Sequence, residues 1–142
     1  MAASNALKNL LMPLLQAPGE AAPALEDSDS YTLSLSQDLL LELSETPQEF
    51  LTVSCLLDIP QERYDEWETL AILLQSNLLG MEHPPIITGL LIEQKKVILW
   101  TRQPFVVMDT QSMKVLVERF ARQAEHVQAW LLESVETESV EE

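Results

Sequence analysis

Residues 59 to 93 constrain the chain most, because they hold a helix that is apolar on more sides than one sheet can cover. Trp67, Leu70, Ala71, Leu74 and Leu78 recur at the three- and four-residue spacing of one buried stripe. Ile72 and Leu79 project about 120–140° away from it at roughly 100° per residue, and Leu73 lies on the other flank. The first stripe suits a sheet. The second apolar flank calls for another surface, and a second copy of the same chain is the simplest supplier. Trp67, Ile72, Leu73 and Leu79 are the expected dimer contacts.

This central helix starts after Asp58, a candidate N-cap, with Pro60 near the first turn and Glu62 where the helix dipole favours acids. Gly80 is placed to end it, since glycine adopts positive φ without strain. Pro84 and Pro85 then force an extended entry into a strand over 86–93. Gln94, Lys95 and Lys96 turn the chain into a second strand over 97–101. The two runs predict an antiparallel hairpin, and the lack of an Asn-Gly pair predicts a turn longer than the tightest type.

Upstream, three more strands are expected. In 31–35, Leu33 and Leu35 share a face; in 39–43, Leu39, Leu41 and Leu43 do so after a break at 36–38. In 50–57 the alternation is cleanest, with Leu51, Val53, Cys55 and Leu57 on one side. Pro47 and its polar neighbours make 44–49 a turn. Cys55 therefore falls in a core row, where a thiol behaves as a small hydrophobe, and no basic neighbour in sequence would activate it.

A first helix is expected from Ala6 to about Gln16, capped by Ser4 or Asn5, with Leu7, Leu10, Leu11, Leu14 and Leu15 on one stripe. Pro13 predicts a late start, an early end or a kink. Residues 17–30 are rich in Ala, Pro, Gly and acids and read as a mobile linker. The last helix is expected from Gln111 to about Glu133, capped by Asp109, with Met113, Leu116, Val117, Phe120, Ala124, Val127 and Leu131 facing inward. The acidic tail, residues 134–142, lacks periodicity and is expected to be disordered. The order is α-β-β-β-α-β-β-α. It predicts an α+β fold, one domain over residues 1–133, with an antiparallel sheet of about five strands and three helices.

Charge narrows the function. Against 8 Lys and Arg stand 23 Asp and Glu, a formal charge of −15, which opposes binding to nucleic acid or to an anionic membrane. No run of about 18 uncharged apolar residues is present to span a membrane. A single cysteine and no secretory leader pattern make the cytoplasm the expected address. His83 and His126 lie in different elements without ligand spacing, and there is no phosphate loop or nucleophile elbow. No enzyme, metal or cofactor is expected. What remains is surface for partner proteins. The first helix is Leu-rich, and it suits equally well packing on its own sheet or holding a partner. Leu10, Leu11, Leu14 and Leu15, with Leu33 and Leu35, are the candidate partner contacts.

Three segments, 70–80 (LAILLQSNLLG), 87–105 and 113–131, resemble the type III secretion chaperones of Gram-negative bacteria, in the effector-binding class that includes the Tir chaperones. Leu73, Leu74, Asn77 and Leu78 match the family's helix end, and Asp109, Phe120 and Trp130 match its last helix. The resemblance runs over about residues 5–133; Pro13 and the long 17–30 stretch depart from the pattern. It implies a homodimer, joined through the central helix and an adjoining strand, that binds the N-terminal region of a secreted effector. The bound segment stays soluble, partly extended and presented for export. The alternative within the same fold is a module that sequesters a transcriptional regulator or another secretion component.

Overall fold

In the computed structural model, residues 6–15, 30–35, 39–79 and 84–140 are described. The expected capping residues Ser4 and Asn5, the 17–29 part of the linker, the 36–38 break, Gly80 and His83 lie outside them, as do the side chains of Leu14, Leu15 and Leu79. Helix α1 spans Ala6–Leu15 and is followed by β1 (Ser30–Ser34), β2 (Leu40–Glu45) and β3 (Phe50–Asp58). A one-turn helix α2 (Gln61–Tyr64) leads into α3 (Trp67–Leu79). Strands β4 (Ile87–Leu91) and β5 (Lys96–Pro104) follow, then a 3-10 turn at Phe105–Val107 and α4 (Thr110–Val140).

The five strands form one antiparallel sheet in the order β1-β2-β3-β5-β4. Register carries the alternation of β3 across its neighbours. Val53 sits between Leu43 and Thr101, and Cys55 between Leu41 and Leu99. Every one of these side chains is buried, together with Leu39, Leu51, Leu57 and Val97. One face of the sheet is thus closed, and each fully buried leucine contributes about 1.5–3 kcal/mol. The opposite face carries Thr32, Leu40, Glu42, Leu56 and Asp58, all exposed. Strand β5 outruns its expected end because it pairs with β3 along its whole length, from Asp58 opposite Lys96 to Phe50 opposite Pro104. The β4–β5 turn occupies 92–95, with Lys95 at φ 53°, and is longer than the tightest hairpin, as expected.

Helix α4 places Met113, Leu116, Phe120, Ala124 and Leu131 in the core, the stripe expected from sequence. Asp109 caps it: its Oδ1 accepts from the Ser112 N–H at 2.8 Å, while its own N–H donates to Ser112 Oγ at 2.8 Å. The helix continues to Val140 rather than ending near Glu133, since no Gly or Pro follows Leu131 to stop it. Helix α1 packs on α4 with Leu7 and Leu11 fully buried. Pro13 is accommodated without breaking α1 because it lies in the last turn, where one intrahelical bond is all it removes.

The central helix differs most from expectation. It is two helices, which makes four α-helices among the described residues, and Asp58 is the last residue of β3 rather than a helix cap. The break at Asp65–Glu66 is held by Arg63, which is 5% exposed. Its Nε donates to the Leu131 carbonyl at 3.1 Å, one Nη to the Trp130 carbonyl at 2.6 Å, and the other to Thr69 Oγ1 at 2.9 Å. Thr69 in turn donates to Glu66 Oε1 at 2.9 Å. Three polar residues, Arg63, Glu66 and Thr69, therefore pin α2 and the start of α3 to α4. The pinning sets the rotation of α3, so that Thr69, Leu73 and Ser76 face inward and Trp67, Leu74 and Leu78 face outward. The stripe expected to be buried is largely the exposed one.

Candidate functional site

Helix α3 presents large apolar side chains to solvent. Trp67 is 75% exposed, Leu74 68% and Leu78 81%, and Ile72, on another flank of the helix, is about half exposed. A helix apolar all round cannot choose its inward face by hydrophobicity. Polar contacts choose it here: Arg63 to Thr69 at the N-terminal end, and Ser76 and Asn77 to Thr88 of β4 at the other. Of the four expected dimer contacts, Trp67 lies on the open face, and Ile72 is half exposed about 140° around the helix from it. Leu73 is corrected, since it is buried in the chain's own core and has no area left for a partner. Leu74 and Leu78, one and two turns on from Trp67, are the exposed leucines of this face.

The candidate partner residues are divided. Leu11 is fully buried between α1 and the body, which makes it a folding residue. Leu10, Leu33 and Leu35 are half-buried and packed against the core rim. Helix α1 is therefore seated on its own chain against α4, with Leu11 in the core.

Two further apolar areas are exposed. On the open face of the sheet, Leu40 and Leu56 flank a shallow groove edged by Glu42, Asp58 and Lys96, the last two paired at 2.5 Å. Ile98 and Trp100 continue it across β5, with Arg102 over the Trp100 ring at 5.3 Å. At the end of the sheet, Val106 and Val107 project from the 3-10 turn, near the Phe50–Pro104 pairing. Sequence reading misses the first area because it comes from strand positions opposite the core row, and the second because it lies on a short 3-10 turn after β5.

Chemical groups add little. Burial pushes the Cys55 thiol up to about 11, the reverse of what a nucleophile needs. Hydrogen bonds from Ser112 hold the Asp109 carboxyl below the usual carboxylate range, as a helix cap should. Among the described residues no group of three or more His, Cys, Asp or Glu is placed to hold a metal ion, and no helix is long and apolar enough to cross a membrane.

A body of this kind, with its core closed and its unclaimed surface apolar, is built for protein partners. The sequence matches the Tir chaperone protein (CesT) family over residues 9–128, and the chain belongs to that family, the type III secretion chaperones. No curated protein matches it at a significant level. Among solved structures it is similar to the ExoT–SpcS complex from Pseudomonas aeruginosa, with a TM-score of 0.61 and 21% identity over 85% of this chain and 92% of that one. It is also similar to the HopA1–SchA chaperone–effector complex, at 0.61 and 15% identity, covering 84% and 92%. The ExsC–ExsE complex matches at 0.64 and 12% identity, covering 92% and 97%. The family's class is chaperone rather than enzyme.

Proposed function

We propose that this type III secretion chaperone acts as a cytoplasmic homodimer that binds the N-terminal region of a secreted effector, keeps it soluble and partly extended, and presents it for export. The observation that carries the dimer is the open face of α3. Trp67, Leu74 and Leu78 leave one line of apolar side chains along the helix exposed, and contiguous exposed apolar surface marks a site of protein contact. A two-fold pairing of that face with itself would cover it. The effector reading rests on family and on the apolar row of the open sheet face, framed by acids, which suits an extended segment with apolar and basic side chains. The formal charge of −15 keeps such a surface soluble between clients.

A tagged chain captured from its host's cytosol, with bound proteins identified by mass spectrometry and the complex weighed by light scattering, tests this reading. One secreted protein held by two copies is the expected result. A monomeric chain, or capture of a DNA-binding regulator in place of a secreted protein, overturns it.

A further inference from the structure

A chain with 23 acids and 8 bases has carboxylates to spare for its cations: Arg63 has Glu66, and Lys96, on the open sheet face, has Asp58. Arg102 is different. It is exposed on that same face of β5, and it is held without an acid. Its Nε donates to Thr52 Oγ1 at 2.9 Å, across the β3–β5 pair that sets the two residues opposite each other. Thr52 Oγ1 donates its own hydrogen to the Thr46 carbonyl at 2.5 Å, so only a lone pair is left for the guanidinium. The guanidinium carbon lies 5.3 Å from the centre of the Trp100 ring, within the range of cation–π attraction. Among the described residues, neither Nη has a hydrogen-bond partner and no carboxylate pairs with Arg102. An arginine anchored through Nε keeps its two Nη groups as a fork of N–H donors, the shape that a carboxylate fits.

Beside the fork the face is apolar. Trp100 and Ile98 lie two and four residues from Arg102 on the same side of β5, both half-buried. Ile98 sits opposite Leu56 of β3 and Gly89 of β4. Glycine at 89 leaves Ile98 uncovered, since a Cβ there would come within 3.3 Å of Ile98 Cγ2. Notch and fork are about 13 Å apart along the strand, the span of four extended residues.

We propose that Arg102 recognises a carboxylate of the bound segment. The segment it fits is extended, with an acid four residues from an apolar side chain seated over Ile98 and a second apolar side chain between them against Trp100. Charge sharpens the choice. A chain of −15 repels acids in general, so one place that accepts a carboxylate fixes the register of the segment and rejects those whose acids fall elsewhere. That the segment belongs to a secreted client rests on the chaperone reading; recognition of its carboxylate does not.

Random peptides of about twelve residues, long enough to span the notch and the fork, displayed on phage and selected on the full chain, test this without knowledge of the client. The wild-type chain should enrich sequences with Asp or Glu four residues from an apolar residue. A synthetic peptide of the enriched sequence should bind roughly three- to tenfold tighter than the same peptide with its acid changed to the amide, and added salt should shrink that ratio. Arg102→Gln should abolish the ratio, and Arg102→Glu should enrich Lys or Arg in place of the acid. Arg102→Lys keeps the charge without the fork and should lower the ratio without abolishing it; it decides the matter if urea unfolding shows that Arg102→Gln does not fold. Selection of no peptide, selection without an acid at a fixed place, or an undiminished ratio in Arg102→Gln and Arg102→Lys would each overturn the proposal. So would light scattering that shows Arg102→Gln turning a dimer into a monomer, because a second copy would then cover this face. A chain that captures no secreted protein from the cytosol would still give these outcomes, so the two readings fail separately.

Discussion

The guanidinium of Arg63 lies over the indole ring of Trp130, 4.1 Å from its centroid, while the same group donates to the carbonyls of Trp130 and Leu131. One buried cation thus fixes where α2 meets α4 and how α3 is turned. Its burial is tolerable because every face of it has a partner. Arg63→Met keeps much of the volume and removes the bonds, leaving Thr69 and Glu66 short of a donor. A loss of about 2–3 kcal/mol is expected, read as a lower urea midpoint with an unchanged slope.

The turning of α3 predicts opposite fates for adjacent leucines. Leu74→Asp with Leu78→Asp alters exposed side chains, and should leave the fold intact while halving the mass seen by light scattering. Leu73→Asp buries a carboxylate without a partner and should cost 3 kcal/mol or more, on the order of the whole stability of a marginal domain. A double variant that stays dimeric would place the interface elsewhere.

Leu11 separates folding from client binding. Leu11→Ala should cost about 2–5 kcal/mol, the range for a buried leucine whose site cannot collapse. Thermal unfolding will show it as a lower midpoint in the absence of any client. An unchanged midpoint would mean that α1 is not seated on α4 in solution.

Asp109 gives the cap a pH signature. Its folded carboxyl titrates below its unfolded value because Ser112 donates to the ionised form. The resulting stability is fully present above the unfolded pKa, near 3.9, and is lost as pH falls through the folded one. Asp109→Asn should remove that part of the acid dependence and leave stability near pH 7 little changed, because Asn also caps well. Denaturation curves of both proteins between pH 2 and 7 make the comparison.

Cys55 should resist modification. A buried thiol pushed up to about 11 holds little thiolate at pH 8. Labelling with iodoacetamide is expected to be slow in the native chain and fast in urea. Fast native labelling would show that β3 opens readily at the centre of the sheet.

Sequence determined the element types and the core row. Residues 50–57 alternate so regularly that their inner side could be read without a neighbour, and Met113 to Leu131 keep one helical stripe, because period-two and 3.6-residue patterns are local properties of the chain. The family resemblance, in LAILLQSNLLG and the last helix, was equally legible. The rotation of α3 was decided only in the tertiary structure. A helix with leucines on every side has no strong inward preference, so Arg63 and Asn77, reaching Leu131 and Thr88 across 68 and 11 residues of sequence, settle it. The same holds for the open sheet face and for which strands lie at its edges. Which strand lies at an edge, and what covers it, depends on the pairing of β3 with β5, and that pairing is a long-range contact that no local pattern encodes.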